Sequence, residues 1–166
     1  DGTRKDSVVN ATETGEFVCN MATWELREAV NTSSQMVDPE TDEMVLANLE
    51  TVSSHMVKPP RVAASPVHLE CLFHSASVLP GYSPDNIVHL VIGRVIGVHI
   101  RDDVLTADGR IDVARIRPLA RLGYFDYTAV DNVFTMEPTG PGLAARRKGL
   151  AGEAVGRPKW EEKEAK

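Results

Sequence analysis

The sequence predicts a mainly β fold with short helices, most simply a small antiparallel barrel. Residues 67–79 alternate between apolar and polar side chains, which is the period of a half-buried strand. Residues 87–100 form an apolar run too long for one flat strand, and Gly93 and Gly97 indicate bulges where a barrel strand bends. Alternating strand and helix units are missing between these segments, which favours an antiparallel barrel over a parallel sheet.

The chain is expected to begin with a helix followed by a strand. Asp6 or Ser7 can cap a helix that runs to about Glu13, and Gly15 is a suitable C-terminal stop. Residues 16–21 then alternate in the manner of a half-buried strand.

Two further helices are predicted before the alternating strand. Thr23 can cap the first of them. Asp38–Pro39–Glu40 resembles a helix start with proline at the first helical position, and this helix is expected to end near Leu49. Lys58–Pro59–Pro60 predicts an extended connector, because proline restricts the residue before it.

Turn-forming residues separate the later elements. Residues 80–86 predict a reversal of the chain, and Asp108–Gly109 predicts a hairpin-type turn. Residues 111–122 are expected to form one or two short helical turns that Pro118 interrupts.

Length and charge favour one domain with a tail. The 166 residues are enough for a single core, and we expect a domain over residues 1–137 and an extension over residues 138–166. The extension is rich in Gly and Pro and carries 7 basic against 4 acidic residues. The formal net charge of -6 argues against nucleic acid or an anionic membrane as partner.

The remaining composition predicts a cytoplasmic protein without metal. Cys19 and Cys71 both lie in apolar runs and are expected to be buried thiols in a reducing compartment. Polar residues break the longest apolar run, so no membrane span is expected. His68 and His74 are about 20 Å apart along one strand, too far to ligate one ion.

The segment Thr3–Arg4–Lys5–Asp6–Ser7 is the strongest candidate site. It places two cations directly before a helix, whose N-terminus offers unpaired N–H groups and a partial positive charge. Arg4 can bind a phosphate in a bidentate manner, and Ser7 can donate its hydroxyl. The pattern therefore predicts a site for a phosphate monoester, with an ordinary capped helix as the alternative.

Five short blocks occur in one order along the chain. They are Gly2–Ser7, Gly15–Asn20, Ser65–Cys71, Ile92–His99, and Pro118–Gly123 with Tyr127. Together they resemble blocks of the flavin reductase-like family. This resemblance implies a six-stranded Greek-key split barrel, usually a homodimer, with FMN near the subunit interface.

The resemblance also implies the roles of particular residues. The phosphate block of the family falls on the same segment from Arg4 to Ser7. Hydride passes between NAD(P)H and flavin in this family, so the cofactor performs the chemistry and no catalytic acid–base triad is expected.

Five further residues are candidates for the walls of the site. Asn20 and Thr23 are expected to line the flavin, although they can equally cap a strand end. Arg121, Gly123 and Tyr127 are expected to border the nicotinamide or the partner subunit, or to form a structural turn instead.

The sequence departs from the family pattern in two ways. The strands that normally precede the phosphate block are absent, including a segment that embraces the isoalloxazine ring. Tyr124 occupies the position of the second glycine in the Arg-Leu-Gly-Gly block, which puts the backbone geometry there in question.

Two functions are compatible with this resemblance. One is an NAD(P)H-dependent FMN reductase, which supplies reduced flavin to a monooxygenase or another redox protein. The other is a non-catalytic FMN-binding protein that transfers electrons between protein partners.

Overall fold

A three-stranded antiparallel sheet is the centre of the fold. The structure is a computed structural model that describes residues 4–82 and 87–136. The sheet has the order β1-β4-β5, where β1 is Glu16–Asn20, β4 is Val67–Pro80 and β5 is Ile87–Ile100. The expected mainly β fold with short helices and antiparallel pairing is confirmed.

The chain divides into two compact units. The first covers Asp1–Val133 and the second covers Phe134–Lys166. The predicted extension 138–166 and most of the predicted turn at 80–86 lie outside the described residues, as does Thr3.

Helix α1, Asp6–Thr14, packs against β1 and β4 through Val8 and Ala11, which are buried. Gly15 ends the helix in the left-handed conformation with φ 73°, as expected. The predicted cap is wrong, because the N-cap residue is Lys5, which forms no side-chain capping bond. The extended backbone of Lys5 begins the helix one residue earlier, so Asp6 and Ser7 lie within the first turn.

The next two helices are shorter than predicted. After Thr23 the chain forms a 3-10 turn, Trp24–Leu26, and then helix α2, Arg27–Thr32. The helix expected from Asp38 begins later, as α3, Glu43–Leu46. The Asp38 side chain and carbonyl instead close a turn by accepting N–H groups of Glu40 and Thr41.

Strands β4 and β5 form a long hairpin with two irregularities of register. At the first, Ile96 of β5, which follows Val95 and precedes Gly97, has no partner in β4. At the second, His74 of β4, which follows the partner of Gly93, has no partner in β5. The predicted bulge beside Gly97 is therefore confirmed, whereas at Gly93 the extra residue is His74 on the opposite strand β4. A Cβ atom on Gly93 would lie 2.6 Å from Cε1 of Phe17, so close approach of that ring also requires glycine.

The segment 51–64 covers one face of the sheet. It contains the short antiparallel strands β2, Thr51–Val52, and β3, Arg61–Val62. The Val62 N–H donates to Oδ1 of Asn20 at 2.9 Å, and the Lys58 N–H donates to Oε2 of Glu16 at 2.8 Å. The polar residues on this face of β4 therefore lie beneath protein rather than in water.

The C-terminal part of the described chain adds one helix and a small hairpin. Gly109 turns the chain at φ 80°, as the Asp108–Gly109 pair predicts. Helix α4 is Val113–Ile116, and strands β6, Leu119–Arg121, and β7, Tyr127–Ala129, pair antiparallel. The prediction of a short helical turn before Pro118 is thus confirmed, but a helical turn after it is wrong, since the chain there is extended and pairs with β7.

Candidate functional site

The chain reverses direction between α1 and β1. The chain reverses at Gly15, and its carbonyl accepts the N–H of Phe73 at 2.8 Å, in the middle of β4. The nine-residue helix is about 13 Å long and the five-residue strand is about 17 Å long. Helix α1 contacts both β1 and β4.

The predicted phosphate cradle is accessible at this position. Arg4, Lys5 and Ser7 are exposed, and Asp6 is half-buried. Among the residues that the structure describes, neither Arg4 nor Lys5 forms an ion pair. Two cations, a hydroxyl and a helix N-terminus are the donors that a phosphate monoester requires, so these residues fit that group.

Asn20 and Thr23 follow on the same side of the site. Asn20 is half-buried and uses its side-chain oxygen to hold Val62, so the alternative role at the strand end is realised. Thr23 is 4% exposed and forms an isolated antiparallel bridge with Pro118. The next residue, Trp24, lies between the guanidinium groups of Arg27 and Arg117, at 4.3 and 4.9 Å from the ring centre.

Arg121, Gly123 and Tyr127 are brought together in the β6–β7 hairpin. Arg121 donates to the Tyr127 hydroxyl at 2.7 Å and to the Tyr124 carbonyl at 2.6 Å. The Asp126 N–H donates to the Gly123 carbonyl, which closes the turn. This geometry supports the structural-turn alternative, and Tyr124 adopts the left-handed conformation with φ 57° that glycine adopts more readily.

Sequence reasoning missed a buried polar cluster on the covered face of β4. Glu70 is fully buried and accepts the backbone N–H groups of His55 at 2.9 Å and Met56 at 2.6 Å. It also accepts from Nε2 of His99. Burial by itself would raise the pKa of Glu70, but these three donors together lower that pKa to about 2.

His68 completes this cluster. Its Nε2 lies 2.9 Å from the Val62 carbonyl, so Nε2 carries the hydrogen, and its Nδ1 is buried without a partner among the described atoms. Burial lowers the pKa of His68, which favours the neutral ring. The cluster was missed because the alternation over 67–79 marks a polar face without saying that segment 51–64 covers it.

The prediction that both cysteines are buried is confirmed for Cys71 and wrong for Cys19. Cys71 is buried, and burial raises the pKa of its thiol. Cys19 is exposed because β1 is an edge strand of the sheet, and both thiols are free.

The described residues contain no candidate metal site and no membrane-spanning helix, but they do form one pocket beside α3. In the ranges 4–82 and 87–136, no group of three or more His, Cys, Asp or Glu side chains is arranged to hold a metal ion. None of the helices described is long and apolar enough to span a bilayer. An open pocket of about 660 Å³ beside α3 is lined by none of the predicted site residues.

Comparison with known proteins gives a consistent family assignment. Residues 2–127 match the flavin reductase like domain. An uncharacterised protein of Halalkalibacterium halodurans is 36% identical over 137 residues, which cover 82% of this chain and 65% of that protein. The chain thus spans about two thirds of the length of this relative.

Two solved structures illustrate the similarity in fold. Nitrilotriacetate monooxygenase component B from Bacillus cereus is 30% identical, with a TM-score of 0.73 over 81% of this chain and 66% of that one. An FMN-binding domain of a flavin reductases-like enzyme from Shewanella baltica is 19% identical, with a TM-score of 0.60 over 82% of this chain and 70% of that one.

The expected split-barrel fold is confirmed by a further structure. A putative flavin reductase with a split barrel domain from Shewanella frigidimarina is 21% identical and superposes with a TM-score of 0.68 over 81% of this chain and 65% of that one. With the match over residues 2–127, the chain belongs to the flavin reductase like family.

Proposed function

We propose that this protein binds FMN and transfers hydride from NAD(P)H to flavin, as an NAD(P)H-dependent FMN reductase. The observation that carries the proposal is the group of Arg4, Lys5 and Ser7 around the first turn of α1, where all three are exposed. This group has the chemistry of a phosphate site. Membership of the family, and the FMN-binding domain among the similar structures, support flavin as the molecule that carries the phosphate.

The residues of this chain would bind and orient the cofactor. FMN supplies the hydride acceptor when it is bound. Arg4 and Lys5 neutralise the phosphate, and Ser7 donates a hydrogen bond to it. Asn20 and Thr23, at the end of β1 and just after it, border the flavin in this proposal, while Arg121 and Tyr127 hold the β6–β7 turn in shape.

The proposed assembly is a homodimer with FMN near the subunit interface. β5 is an edge strand of the described sheet, and several of its large apolar side chains are exposed, namely Val88, Leu90, Ile92, Val95 and Val98. An apolar surface at a sheet edge is typical of a protein interface. A second copy of the chain is the partner that we propose for it.

The proposed recipient of reduced flavin is a separate monooxygenase. The similar component B of nitrilotriacetate monooxygenase is by its name one part of such a system. We also propose a cytoplasmic location, which the two free thiols support.

The test is anaerobic mixing of the FMN-loaded whole protein with NADH or NADPH. Because the chain spans about two thirds of its relatives, the whole protein is the right material. We expect rapid loss of the oxidised flavin absorbance with at least one of the two nicotinamides. A bound flavin that stays oxidised with both, yet is reduced by a redox protein, would contradict the reductase and support the electron carrier.

A further inference from the structure

Glu70 and His99 form a carboxylate–imidazole pair on the face of the sheet that segment 51–64 covers. His99 Nε2 lies 2.5 Å from Oε1 of Glu70, and the two side chains are 19% and 0% exposed. The carboxylate is therefore inside the protein, and the imidazole reaches the surface. Asn20 of β1 pairs with His68 of β4, and His68 pairs with His99 of β5. His99 therefore lies in a cross-strand row that begins at Asn20, a residue of the proposed flavin site.

The carboxylate determines which nitrogen of His99 carries hydrogen. Since Glu70 is ionised, its oxygens can only accept, and Nε2 of His99 must donate. Nδ1 is then the atom that can take up or release a second proton. A buried carboxylate that orients an accessible imidazole is the arrangement that general acid–base catalysis uses.

Two further imidazoles and two charged groups surround His99. The ring of His55, from the turn over the sheet, meets it edge-on with centroids 4.8 Å apart. The ring of His68 on β4 is 6.3 Å away, and its burial favours the neutral form. Arg61 on β3 is the nearby cation that acts on His68, and Glu70 is the buried anion.

We propose that His99, oriented by Glu70, supplies the proton that accompanies hydride transfer at the flavin site. The inference rests on the proposed function. One hydride from NAD(P)H, carrying two electrons, and one proton convert FMN to its fully reduced form and leave NAD(P)+. The proton leaves Nδ1 of the doubly protonated imidazole, which regains one from water.

The test compares His99→Gln with the matched control His74→Gln. Glutamine keeps an amide donor for Glu70 but holds no titrating proton, and His74 is an exposed histidine on β4. In single-turnover reduction of the FMN-loaded whole protein, we expect His99→Gln to lower the rate of flavin reduction about 10²-fold. We also expect the variant to lose the decrease of this rate with rising pH. The control keeps the rate and the pH profile of the wild type. An unchanged pH profile in His99→Gln would overturn the proposal.

A second measurement does not depend on activity or on folding of the variant. We expect FMN binding to the wild type to shift the imidazole carbon resonance of His99 in NMR spectra and to leave that of His74 unmoved. Bound FMN with an unmoved His99 signal would overturn this inference alone. Absence of FMN binding to the whole wild-type protein would overturn the proposed function as well.

Discussion

Glu70 shows at the scale of one residue how this fold holds a charge in its interior. The carboxylate has no exposed surface and accepts two backbone N–H groups and the ring of His99. Those bonds fix the turn at His55 and Met56 over the sheet. A buried charge without such partners would be strongly unfavourable.

We expect Glu70→Gln to destabilise the protein by about 1–3 kcal/mol, because one buried backbone N–H loses its acceptor. Glu16→Gln is the matched control, since Glu16 also accepts a backbone N–H, from Lys58, but is half-buried where Glu70 is fully buried. Unfolding in denaturant measures both free energies. Equal losses in the two variants would contradict the role assigned to burial.

The same comparison has a defined dependence on pH. The pKa of Glu70 falls from the ordinary value of 4.5 to about 2 in the folded protein, so its charge stabilises the fold above pH 4.5. That contribution disappears as the pH falls through about 2. The stability difference between wild type and Glu70→Gln should therefore shrink in acid, and a constant difference would contradict the lowered pKa.

Individual residues also show what the sequence could predict about the site. The candidate phosphate segment was predicted because cations before a helix are a local pattern, and it stays a prediction. The helix end at Gly15 was predicted and is confirmed, because left-handed helix ends favour glycine. The cluster around Glu70 was not found, because it depends on contacts between segments 14 and 15 residues apart in sequence. Burial of a polar strand face is a tertiary property.

At the scale of elements, the β6–β7 hairpin explains the departure at Tyr124. Its turn requires a left-handed residue, and Tyr124 occupies that conformation at φ 57° with its side chain 92% exposed. The family resemblance places a glycine at this position. The sequence therefore indicated the unusual backbone correctly, but it could not show that tyrosine adopts the geometry of glycine.

We expect Tyr124→Gly to stabilise the protein by about 0.5–1 kcal/mol, because relief of the left-handed strain exceeds the added chain entropy. Phe125→Gly is the control, since Phe125 is also 92% exposed and lacks a positive φ. It should destabilise the fold instead. Thermal unfolding compares the two, and a loss of stability in Tyr124→Gly would contradict strain at this turn.

The other elements differ in how well local sequence patterns predict them. The alternating strand β4 and the bulged strand β5 were predictable from period and from glycine positions. The start of α3 was not, because Asp38 and Asp42 are both good caps and only the second one caps a helix, by accepting the N–H of Met44. Local capping signals do not decide between neighbouring candidates.

At the scale of the whole molecule, the exposed apolar side chains of β5 need a partner. In a homodimer, charge on this surface would be buried or placed against apolar groups, which is unfavourable. We expect Leu90→Lys together with Ile92→Lys to convert the proposed dimer to a monomer, as measured by sedimentation. Arg94→Lys, at an exposed position of the same strand, is the control and should leave the dimer intact. A wild-type monomer would contradict the proposed assembly.

The central claim is that the N-terminus of α1 holds the phosphate of FMN, and the affinities for FMN and riboflavin test it most directly. In the whole protein, Arg4→Ala with Lys5→Ala should weaken FMN binding at least about 10-fold, because charge-assisted hydrogen bonds are lost. Riboflavin, which lacks the phosphate, should bind as before, and Arg110→Ala, in a distant turn, should affect neither ligand. Equal losses for FMN and riboflavin, or no loss for either, would contradict the account.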